Sequence, residues 1–87
     1  MSTADLIRAR LAALEPVSFT LDDESEAHRG HSGAASGGGH FHLTIVSPKF
    51  RNLSTLARHR LVYETLGDLM QRDIHALSIS ALTPEEL

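Results

Sequence analysis

With 87 residues, 41% hydrophobic and 22% charged, the chain has an ordinary globular composition and room for one domain, residues 1–87, with a single thin core. A net charge of −3 argues against a dedicated nucleic-acid binder, and the absence of cysteine excludes disulfides, a thiol nucleophile and any thiolate metal site made by this chain alone. With no apolar run near the roughly 20 residues that cross a bilayer and no signal-peptide pattern at the amino terminus, we expect a cytoplasmic protein without a membrane span.

Ser2 or Thr3 can cap a first helix in which Ala4, Ile7, Leu11 and Leu14 recur at three- and four-residue intervals, the mark of one buried face. Pro16 stops it. From Val17 to Leu21 apolar and polar residues alternate, which predicts a half-buried strand. Residues 22–39 are rich in Gly, Ser and acids, and read as a long flexible loop ending in Gly37-Gly38-Gly39. Alternation returns from His40 to Val46, with Phe41, Leu43 and Ile45 on one face and His40, His42 and Thr44 on the other. This second strand is expected antiparallel to the first.

Ser47-Pro48 breaks the ladder, and Ser54 caps a long helix expected to run to about Arg72. At about 100° per residue, Leu56, His59, Val62, Tyr63, Leu66, Leu69 and Met70 gather on one side of it. That phase makes His59 a core histidine outside any site, with Arg58 and Arg60 pointing away. Ile74 to Leu82 is a third strand, and Thr83-Pro84-Glu85-Glu86 has the residues of a helix start, cut short by the chain end. The order helix, strand, strand, helix, strand predicts an α+β fold: a three-stranded sheet with helices on one face.

Histidine is the main chemical signal: His28, His31, His40, His42, His59 and His75, four of them within or beside the Gly-rich loop. Neutral imidazole is the commonest protein metal ligand, although a solvated loop can also simply contain histidines. His40 and His42 share a strand face about 6.5 Å apart at a rise of roughly 3.3 Å per residue, a spacing that can chelate zinc or nickel, although zinc normally takes three or four protein ligands and the pair reads first as a strand-start histidine with a structural hydrogen bond, His40, and a solvated strand residue, His42. His75 opens the third strand directly after a helix end, where rigid structure positions a side chain that can lie at a rim, although a buried histidine bonded to backbone fits the same place. Lys49, Arg51, Arg58 and Arg60 form a basic stretch without an intervening acid, able to contact phosphates or an acidic surface. No nucleophile elbow, phosphate loop or dinucleotide fingerprint is present, so no enzymatic activity is expected.

Arg58-His59-Arg60-Leu61-Val62-Tyr63, followed by Ile74-His75-Ala76-Leu77, resembles the core of the BolA family. Asp23-Glu24-Ser25, His40-Phe41, Val46-Ser47 and Phe50 stand in matching order, so the likeness covers most of the chain. It implies a class II KH-like fold, without the Gly-x-x-Gly loop by which true KH domains clamp RNA. It further implies a monothiol glutaredoxin partner and a [2Fe-2S] cluster held between the two proteins. In that arrangement glutaredoxin and glutathione supply thiolates, and this chain supplies His75 and a loop histidine. Counting forward from Asp23-Glu24-Ser25 favours His28, and counting back from His40-Phe41 favours His31. DNA-binding regulation has also been ascribed to this family, and would use Lys49, Arg51, Arg58 and Arg60. Asn52 stands where many relatives have Gly, and Asn tolerates the left-handed backbone that such a turn needs.

Overall fold

The computed structural model describes residues 1–24 and 39–87. Its first helix, α1 (Thr3–Leu11), starts with a reciprocal capping box: Ser2 Oγ accepts from the Asp5 backbone N–H, and the Asp5 carboxylate accepts from Ser2 N–H. A 3-10 turn, Ala12–Leu14, tightens its end, and Glu15 takes a left-handed φ of 50° before Pro16. Ile7, Leu11 and Leu14 are buried, as their spacing predicts.

Three strands follow in spatial order β1 (Ser18–Asp23), β2 (Gly39–Val46), β3 (Ile74–Leu82). The β1–β2 pair is antiparallel, as expected, and the β2–β3 pair is parallel. Asp22, Asp23 and Gly39 belong to strands and not to the expected loop: Asp22 pairs with His42 and Asp23 with Phe41. Pairing to a well-packed partner extends the ladder past the point where the apolar alternation of β1 ends. The predicted loop histidines, His28 and His31, lie outside the described residues.

Ser47 ends β2 and is fully buried, its hydroxyl donating to the Leu14 carbonyl (2.6 Å) and accepting from Lys49 N–H (3.0 Å). Pro48–Phe50 form a 3-10 turn, and Asn52 adopts the expected left-handed backbone at φ 66°. Ser54 then caps α2 (Thr55–Leu66) by accepting from Ala57 N–H.

The expected single long helix is two. Gly67, at φ 59° and ψ −129°, takes a conformation that L side chains avoid and ends α2; α3 (Leu69–Arg72) follows. The Arg10 guanidinium donates to the Leu66 carbonyl left open by the break (2.7 Å) and pairs with Asp68, tying α1 to this corner.

The phase of α2 is also rotated from the expected one. Val62, Leu66 and Leu69 face the core, but Leu56 is 60% and Tyr63 41% exposed, and His59 is only half-buried. Arg58 takes the inward position instead, because its aliphatic stem can be buried while its guanidinium finds acceptors. The helices cover the sheet face carrying Phe41, Leu43, Ile45 and Ala81, and Phe50 completes that core. Arg8 lies 4.6 Å over the Phe19 ring, seating α1 above β1. Thr83 and Glu86 form a second capping box around the closing 3-10 turn Pro84–Glu86.

Candidate functional site

The parallel pairing of β2 and β3 contains a one-residue slip. Gly39 pairs with Ile74, but His40 pairs with Ala76, and the register then runs one to one until Val46 meets Leu82. His75 is therefore the extra residue of a β-bulge. Ile74 is buried and Leu77 packs against the same core, although an uninterrupted strand would put residues three apart on opposite faces. The bulge absorbs that mismatch and leaves His75 exposed.

The His75 ring meets the ring of His40, centroid to centroid 4.9 Å at an interplanar angle of 38°. Both are held by paired backbone: Gly39 N–H donates to the Asp73 carbonyl, and Glu24 N–H to the His40 carbonyl. Gly39 is required here, because a Cβ would overlap the buried Phe41 ring, which lies across the strand start. His42 is half-buried further along β2, in register with Asp22 and Ser78. Among the described residues, no group of three or more His, Asp or Glu side chains could hold a metal ion.

A polar cleft of about 290 Å³ opens near this end of the sheet, lined by residues including Ser2, Asp23, Gly39, Arg72 and Asp73. Asp73 Oδ2 is shielded from water without a hydrogen bond, yet sits 3.5 Å from Arg72 Nη2. At that length the contact is an ion pair and not a hydrogen bond.

The basic stretch is interleaved in space with acids distant in sequence. Lys49 pairs with Glu15 at 3.3 Å, and Arg51 grips Glu85 with two nitrogens at 2.8 and 2.5 Å. That bidentate grip raises the pKa of Arg51 and lowers that of Glu85. Arg58 is turned inward, its side chain 14% exposed, donating to the carbonyls of Leu53 (2.9 Å) and Ala81 (3.0 Å) and to Glu86 (2.6 Å). The Arg58 bond, followed by one from the Thr83 backbone N–H, holds the Glu86 carboxyl down to about 2. Arg60 is exposed on the far side of α2. Neither the meeting of His40 with His75 nor these pairings follow from sequence spacing, since both depend on register and tertiary contacts.

Among the described residues, no helix is long and apolar enough to cross a membrane. A family model described as BolA-like protein matches residues 11–86. The solved BolA domain of SufE1 from Arabidopsis thaliana superposes with a TM-score of 0.87 at 42% identity, covering 100% of this chain and 98% of that one. BolA-like protein 1 from Mus musculus is 42% identical over 81 residues, 92% of this chain and 57% of its own length. The protein named DNA-binding transcriptional regulator BolA from Vibrio cholerae is 39% identical over 83 residues, 94% of this chain and 76% of its own. Across the plant and mouse relatives the chain spans 21 to 57% of their length. With the expected α-β-β-α-β order, a three-stranded sheet covered on one face, and a family match over nearly its whole length, this chain belongs to the BolA-like family.

Proposed function

We propose that this protein is a non-enzymatic accessory that binds a monothiol glutaredoxin and shares a [2Fe-2S] cluster with it, in iron-sulfur trafficking or iron regulation. The observation that carries the reading is His75: an exposed imidazole on the bulge of a paired strand, in a chain of this family. The donor set fits a shared cluster and not a private one. This chain has no cysteine, and its described residues gather no set of three ligands, so it can offer nitrogen donors only in part. The remaining ligands would be thiolates from glutaredoxin and glutathione. A cluster with mixed histidine and thiolate ligation supplies an electron couple at raised potential. The chain's own contribution is positional: pairing of β2 with β3 fixes the backbone on both sides of His75, and burial of Ile74 anchors the residue before it. His28 or His31 would be the second ligand from this chain. The cytoplasm is part of the same proposal, while the names of two plant relatives include the word chloroplastic.

The test mixes the full chain with a cluster-loaded monothiol glutaredoxin and glutathione, following visible absorption, circular dichroism and complex size. A heterodimer with an altered cluster spectrum, restored to the glutaredoxin-only spectrum by His75→Ala, supports the reading. Separate species with an unchanged spectrum reject it.

A second reading, DNA-binding regulation, is favoured by the names of the bacterial relatives. Its surface would be Lys49, Arg51 and Arg60, with Arg58 contributing less because it is turned inward. Pairing with Glu15 and Glu85 dilutes the field of Lys49 and Arg51. Salt-dependent binding that weakens on Arg60→Ala supports this reading, and no binding at low salt rejects it.

A further inference from the structure

The ring contact between His40 and His75 has a geometry that the glutaredoxin partnership does not require. We infer that these two imidazoles form a site for a single divalent late transition ion, copper(II) or zinc(II), in the isolated chain.

A metal held at about 2.1 Å from an imidazole nitrogen lies about 3.2 Å from that ring's centroid. Two imidazoles on neighbouring corners of a square or tetrahedron therefore have centroids about 4.5–5.3 Å apart. The observed separation is 4.9 Å. The two rings stand on hydrogen-bonded neighbouring strands, so the approach is set by sheet pairing and costs little ordering when an ion binds. His75 is exposed and His40 half-buried, which gives an ion a path from solvent.

His40 carries a further interaction besides the ring contact. A neutral imidazole offers one lone pair to a metal and keeps its other nitrogen for a hydrogen bond, the usual arrangement around ligating histidines. Imidazole ligation suits copper and zinc, and among first-row ions copper(II) binds most tightly, so copper is the more sensitive probe. Two protein nitrogens leave the other positions to water, which makes the ion exchangeable. The ion would hold the same His75 that the proposed cluster needs, so free metal and cluster would compete for it. That competition rests on the proposed function, whereas the site itself does not.

The experiment uses the full chain without glutaredoxin, titrated with copper(II) under chelator competition and read by electron paramagnetic resonance. One high-affinity ion per chain with two equatorial imidazole nitrogens is expected. His40→Phe and His75→Phe should each weaken binding at least about a hundredfold, beyond the roughly 10–100-fold that loss of an outer-shell partner costs. A His59→Ala variant, altered on α2 and outside the site, should bind as the parent does. Binding unchanged by either phenylalanine substitution overturns the inference. Should His40→Phe fail to fold by circular dichroism, zinc(II) is added to the parent and imidazole proton resonances are followed. Joint displacement of the His40 and His75 signals supports the site, and immobility of either overturns it. Because glutaredoxin is absent, either outcome leaves the cluster reading to its own test.

Discussion

Replacing Arg58 by alanine should destabilise the fold, and the size of the loss separates a structural arginine from a surface one. Its guanidinium donates to two partly buried carbonyls, of Leu53 at 2.9 Å and Ala81 at 3.0 Å. Hydrogen bonds from a charged donor contribute roughly 1.5 kcal/mol each at the low end, so removing both costs about 3 kcal/mol. Loss of the buried stem adds to this, while the Glu86 pair, whose carboxylate side chain is 44% exposed, adds little. Against a typical total of about 5–15 kcal/mol, that is a large share. Urea unfolding of parent, Arg58→Ala, Arg58→Lys and Arg60→Ala would measure it. The lysine variant keeps charge and stem but cannot donate along the same fork, and should fall between parent and alanine. Arg60→Ala should lie within about 0.5 kcal/mol of the parent. An Arg58→Ala loss below about 1 kcal/mol, or one equal to that of Arg60→Ala, would refute the assignment. Any DNA-binding test that substitutes Arg58 must accordingly control for folding.

Gly67→Ala should cost about 1–3 kcal/mol in thermal or urea unfolding, because φ 59° strains an L residue and its Cβ would stand 3.3 Å from Arg10 Nη1. Glu86 is held at about 2 against an ordinary 4.5, so its carboxylate contributes stability above the ordinary value that is lost as pH falls through about 2. The stability difference between parent and Glu86→Gln should be constant above about pH 5.5 and shrink towards pH 2; a difference independent of pH across that window would contradict the pairing with Arg58. His75→Ala should change unfolding stability by no more than about 0.5 kcal/mol, since the side chain is exposed, and a much larger loss would mean that the imidazole supports the sheet.

The strands were legible because β2 alternates cleanly and because β3 is bounded by Asp73 and the Thr83-Pro84 signal. The caps at Ser2 and Ser54 follow from local chemistry, and the left-handed turn at Asn52 follows from the family resemblance. The phase of α2 did not, because an arginine occupies the place where a hydrophobic pattern expects Leu56 or Tyr63. Burial of Arg58 depends on carbonyls of Leu53 and Ala81, the latter 23 residues away, which no periodicity contains. The break at Gly67 is a matter of backbone angle and of what Arg10 caps, and a single glycine in a helical pattern does not declare it. His75 stood out from its place at a strand start and from the family resemblance. The bulge that leaves it exposed did not, because a slip between Gly39 and His40 belongs to two strands together.

That slip separates the tolerances of two adjacent positions. Ile74 is committed to the core, so its size and polarity are constrained by everything packed around it. His75, one residue later, is exposed, and its ring meets that of His40. A cysteine, aspartate or asparagine placed there would meet no steric objection from the scaffold. The chemistry of the side chain presented at this corner can therefore be exchanged by a single substitution, with the architecture that presents it left standing.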